Sequence, residues 1–193
     1  MVKKILLWLN KIFSWGWETP PKPRPDFVDN GVYITHEEFL EIVRTQLGDK
    51  LGKNVYIRHT DSEYYCPSVK YCKHLIATDK TDEEIYVPNL RDCDKFALLL
   101  KSAFVRDAWR TRTAREVAEM EHVVQAVDIG GGLFRVQRAS HCFAIFDYVK
   151  TGGAHSVNCV VDDRLVLHII EPQSDLWFSP QSDEIVKVLA IIP

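Results

Sequence analysis

The sequence has no long apolar run, no excess of positive charge, no evenly spaced set of cysteines and no internal repeat, and each absence removes a class of protein. Lysine and arginine number 24 against 27 aspartates and glutamates, a net charge of −3. No global basic field is there to draw in nucleic acid, so none is expected as a partner. The apolar stretch from Ile5 to Leu9 follows Lys3 and Lys4 as in a signal peptide, but Asn10 and Lys11 interrupt it and no small-residue cleavage site follows. It is too short to span a bilayer, and the mature protein is expected to start at Met1. The cysteines (Cys66, Cys72, Cys93, Cys142 and Cys159) are odd in number and irregular in spacing. That argues against a secreted disulfide framework and for reduced thiols inside a cell, with one left over as a nucleophile would be. Gly130 to Gly132 lack the helix signature of a phosphate loop and read as a turn.

What is present is an ordinary globular balance: 193 residues, 46% hydrophobic and 26% charged, enough for one domain with a real core and a small appendage. Residues 1–17 place Ile5, Trp8, Leu9, Ile12 and Phe13 on one helical stripe, with Lys3, Lys4 and Lys11 opposite. Three roles fit such a helix: packing on its own domain, docking into a partner's groove, or lying at a membrane surface. Four prolines between Pro20 and Pro25 then make a stiff linker, so a domain is expected from Asp26 to the end.

Thr35 with Glu38 has the form of a capping box and opens a helix carrying Phe39, Leu40, Ile42, Val43 and Leu47, which Gly48 ends. Residues 54–59 read as a strand, and 60–92 as a mixed, tyrosine-rich stretch. Asp94 to Arg110 is a strong helix, with a second expected over 112–126. Strands follow at 133–137, 142–148, 155–161, 165–170 and 185–192. Helices first and an antiparallel meander after is an α+β pattern.

Three places carry reactive residues. Cys93 opens the strong helix, where unpaired N–H groups and the dipole stabilise a thiolate, with Asp92 and Asp94 working against that. His155 follows the Gly152-Gly153 turn and opens a strand, and Glu171 closes another before Pro172 stops the ladder. If Asp162-Asp163-Arg164 form the loop between these strands, Val161 faces Leu165, Val157 faces Ile169 and His155 faces Glu171. That parity keeps one face apolar until it ends in the His–Glu pair, and a five-residue loop preserves it. A carboxylate beside an imidazole fixes its tautomer, and such an imidazole can take a proton from a thiol. Cys66, Cys72 and His74 lack the tight spacing of ordinary zinc ligands, and a fourth ligand is not evident.

The run Asp92-Cys93-Asp94-Lys95-Phe96-Ala97 resembles the DCDDFA helix start of papain-like domains related to the C-terminal domain of the Marasmius oreades agglutinin. Residues 152–177, with GAHSVN and IIEPQ, resemble that family's His and acid motifs in the same order. The resemblance implies a papain-like fold and a Cys93, His155, Glu171 triad acting on a peptide or protein substrate. It also implies a possible need for calcium, although its ligands have no residue-by-residue match. Asp92, Asp94, Asp162 and Asp163 are the carboxylates to examine for it. Asn89, Gln173 and the Cys93 backbone N–H are candidate oxyanion donors. Similar stand-alone proteins are common in phages, which points to the host-cell cytoplasm or a virion. Two functions follow: a cysteine hydrolase, or a silent papain-like scaffold in a virion, docked through residues 1–17.

Overall fold

The computed structural model describes residues 31–87, 92–119 and 123–193. The expected N-terminal helix and linker, and the candidate donor Asn89, lie outside these residues.

The capping box forms as read: Thr35 accepts from the Glu38 amide and the Glu38 carboxylate takes the Thr35 N–H. It starts helix α1, His36–Leu47. Ahead of it lies a short strand the sequence did not reveal, β1, Val32–Thr35. Strands β2, Leu51–Ile57, and β3, Glu63–Cys66, follow. Helix α2, Val69–Thr78, then occupies part of the stretch read only as mixed. Its signal was present: Ser68 caps the Tyr71 amide, and Tyr71, Cys72, Leu75 and Ile76 form a buried stripe. Helix α3, Cys93–Ala108, is the strong helix.

The second helix expected over 112–126 is a correction. The chain there forms strand β4, Trp109–Thr113, a single helical turn α4, Ala114–Ala118, and strand β5, Val123–Gly130. With β6, Leu133–Arg138, these strands make a separate antiparallel sheet in the order β4-β6-β5. Pairing to β6 outweighs the local helical preference of the charged residues.

A two-residue strand β7, Ser140–His141, joins β3 and β1 in a small sheet of order β1-β3-β7. The main sheet contains β8, Phe143–Lys150, β9, Gly153–Val161, β10, Leu167–Glu171, β11, Leu176–Phe178, and β12, Lys187–Ile192. Its order is β11-β10-β9-β8-β12-β2, antiparallel except where β12 runs parallel to β2.

Both faces of this sheet are covered. On one, Phe39, Val43 and Leu47 of α1 pack with Phe146, Tyr148, Val157, Cys159 and Ile169. On the other, Leu75 and Ile76 of α2 and Leu100 and Phe104 of α3 pack with Phe143, Val160 and Ile170. Consequently β9 is buried at every position from Val157 to Val161, not alternately.

Candidate active site

The turn between β8 and β9 is Thr151-Gly152, and Gly152 and Gly153 have φ of 100° and 147°, a conformation side chains with a Cβ resist. This tight hairpin places Tyr148 opposite His155. On the other side, β10 pairs with β9 with Leu167 opposite Val161 and Ile170 opposite Asn158. The expected register, Leu165 opposite Val161, is therefore corrected by two residues. Asp162 is the cause: its Oδ1 accepts from the amides of Arg164 and Val166 at 3.0 and 2.8 Å, and its Oδ2 faces His168 Nε2 at 2.9 Å. Leu165 takes a φ of 62° to complete a five-residue loop. A slip of two preserves the faces, so His155 and Glu171 still meet.

His155 Nε2 and Glu171 Oε2 are 2.6 Å apart. The Gln173 amide donates to the other carboxylate oxygen at 3.3 Å. With Nε2–H turned to the carboxylate, Nδ1 carries the lone pair, and no described residue bonds to it. Tyr148, buried in the core, sets its ring against the edge of His155 with centroids 5.7 Å apart. Burial first, then the charges of Glu184, Glu171 and Cys93, push the Tyr148 hydroxyl up to about 12. Tyr148 was not recognised from the sequence, because its role depends on pairing across two strands.

Cys93 is the first residue of α3 and is half-buried. Asp92 caps the helix through its carbonyl, which accepts from the amides of Lys95 and Phe96 at 3.1 and 3.2 Å. The two acids beside the thiol are opposed by one cation: Lys95 Nζ lies 2.7 Å from Asp94 and 3.8 Å from Asp92. Hydrogen bonding to Asp92 and then Lys95 holds the Asp94 carboxyl below its usual range.

The direction of α3 follows from its contacts. Asn158 Nδ2 donates to Ala97 O at 2.9 Å, and the Phe104 ring stacks on Phe143, which lies opposite Val160. The helix therefore runs along β9 in the same sense, and its N-terminus points to the end where His155 sits. His155 and Glu171 share the sheet face of Tyr148 and Ile169, whereas α3 covers the other face. The start of α3 and the pair thus lie toward the same end of the sheet, on opposite faces.

Of the carboxylates singled out for calcium, Asp162 has both oxygens engaged by its own loop and His168, and Asp94 pairs with Lys95 at 2.7 Å. Among the described residues no group of three side chains could hold a metal ion. Zinc at Cys66, Cys72 and His74 fails for a related reason: the two thiols are buried in clusters on opposite faces of the main sheet, and His74 is exposed.

A thiol on a helix and an imidazole on a sheet, each half held by its own layer, is how papain-like domains are built, and the chain has this α+β, papain-like fold. Among solved structures it superposes on a PSL1a–E64 complex, the Polyporus squamosus lectin with a cysteine protease inhibitor. That match has a TM-score of 0.61 and 15% identity over 83% of this chain and 51% of that one. The same lectin bound to a human-type influenza-binding epitope gives 0.58 and 15%, over 83% and 49%. The chain spans about half the length of both, and at these identities the likeness is one of fold alone. A scan of protein-family models found no match, and a search of curated proteins found none.

Proposed function

We propose that this chain is a cysteine hydrolase of peptidase or amidase type, with Cys93 as nucleophile, His155 as base and acid, and Glu171 as the group that orients His155. The observation that carries this is the 2.6 Å contact from His155 Nε2 to Glu171, which leaves Nδ1 as the basic nitrogen at the end of the sheet toward which α3 starts. The Cys93 proton passes to Nδ1 and the thiolate attacks the carbonyl carbon of a peptide or protein amide. The C–N bond then breaks as Nδ1 protonates the leaving amine, giving a thioester on Cys93. Water attacks the thioester, gives its proton to Nδ1 and releases the acid, and the proton returns to sulfur. Glu171 stabilises the imidazolium in both halves without taking the proton. The Cys93 backbone N–H, in the first turn of α3, is the donor proposed for the oxyanion.

The test is alkylation by iodoacetamide at pH 6.5, together with intact-mass detection of an E64 adduct. The wild type is expected to alkylate at Cys93 about tenfold faster than a free peptide thiol and to take one E64. Cys93→Ala should lose both, and Glu171→Gln should keep a fraction of the rate. Labelling at full rate in Cys93→Ala sinks the assignment and leaves the silent scaffold as the reading.

A further inference from the structure

Asn158 is fully buried among apolar side chains, three residues along β9 from His155. Its Nδ2 faces two carbonyls, Ala97 O at 2.9 Å on α3 and Ala144 O at 3.3 Å on β8. Two acceptors fix the amide orientation, so Oδ1 is turned away, and it is buried with no partner among the described residues. An orphaned amide oxygen is a standing cost in a core, and a leucine of the same size would avoid it. Packing therefore does not explain this side chain.

Its position does. Ala97 lies one helical turn beyond Cys93, on the same side of α3, where residues four apart are neighbours. His155 is on the same strand as Asn158. One side-chain amide thus ties the nucleophile's helix to the base's strand, within about one turn of each group. Other contacts of α3 with the sheet are greasy or lie further along: Leu100 and Phe104 in the core, and Lys101 Nζ on the carbonyls of Phe143 and Ile192 at 3.3 and 3.0 Å. Apolar packing tolerates rotation and sliding of a helix by fractions of an ångström. A hydrogen bond to one carbonyl does not, and catalytic geometry is sensitive on that scale.

We infer that Asn158 is a positioning residue, whose amide sets the rotation of α3 on the sheet and so the approach of the Cys93 thiol to His155. This rests on the hydrolase reading above. It assigns no contact with substrate.

The experiment is the pH profile of Cys93 alkylation, read as the ratio of rates at pH 6.5 and 9.5. At the higher pH most thiols ionise unaided, so loss of positioning shows only at the lower. Asn158→Leu is expected to be about tenfold slower at pH 6.5, within about twofold at pH 9.5, and to melt at or above the wild-type temperature. Asn158→Ala gives the same ratio if the leucine variant does not fold. Val160→Ala, which loosens the same packing without removing a donor, should lower Tm and keep the wild-type ratio. A folded Asn158 variant with the wild-type ratio overturns the inference, as does a Val160→Ala variant whose ratio collapses equally. His155→Ala separates the two readings. If it leaves the wild-type ratio unchanged, the hydrolase reading fails and positioning falls with it. If it lowers the ratio while Asn158→Leu does not, positioning fails alone.

Discussion

Two neighbourhoods of this molecule contain the same chemical parts. At the end of the main sheet are a cysteine, a histidine paired with a carboxylate, and a tyrosine: Cys93, His155, Glu171 and Tyr148. In the interior are Cys142, His141, Asp107 and Tyr71, with His141 Nε2 at 3.0 Å and the Tyr71 hydroxyl at 2.6 Å from the same Asp107 oxygen. The difference is water. Side-chain exposure is 13% and 21% for His155 and Glu171 but 7% and 4% for His141 and Asp107. Burial drives the Cys142 thiol well above its ordinary value, and that of Cys159 to about 12. His141 Nδ1 is buried with no described partner. An imidazole–carboxylate pair enclosed in this way is a structural strut, and the proposed function assigns the role of base to the more exposed pair.

The sharpest way to break the contrast is to label the native protein and map the modified peptides. Cys93 should react at least about a hundredfold faster at pH 7 than Cys66, Cys72, Cys142 or Cys159, which must wait for local opening. Five equal rates before unfolding would erase the distinction. Next in size is Asp107→Ala, which leaves His141 and Tyr71 without their shared acceptor. It should lose about 3–5 kcal/mol in urea unfolding while Cys93 alkylation stays within about twofold. An equal loss of alkylation would mean that the strut and the rim site are one unit.

The smallest effect concerns Lys101, whose burial lowers its ammonium to about 8 from 10.5. The unfolded chain then holds more protons than the folded one between those values. The penalty is full below pH 8 and fades as pH rises to 10.5, so stability gains in that window. The buried thiols act oppositely above about 9, since their raised folded values make ionisation easier in the unfolded chain. The difference between wild type and Lys101→Met isolates the lysine. It should grow in the wild type's favour from pH 8 to 10.5, by no more than about 3 kcal/mol. A flat difference would show that the ammonium is not desolvated.

The comparison also explains what was legible beforehand. The α1 cap, the α3 stripe and the face shared by His155 and Glu171 were readable, because capping boxes and strand parity are local or pairwise rules. The register was not, because Asp162 enlarges the turn through bonds that only the folded loop defines. Residues 112–113 and 123–126, strand in the fold, were read as helix, because their partner β6 supplies the structure that their own residues do not. Asn158 and Tyr148 were silent for the same reason: each acts on an element distant in sequence. The interior pairing of His141 with Asp107 was not legible either, because thirty-four residues separate the two.

The Asp162 loop has one further consequence. Because alternate residues of a ribbon look the same way, adding or deleting a pair of residues in that loop slides Glu171 along β9 by one full pleat, about 7 Å, while every apolar side chain still meets the core. The ribbon behaves as a vernier. Its far end can be lengthened or shortened by evolution to try the acid at successive notches beside His155, with the hydrophobic layer indifferent to the choice.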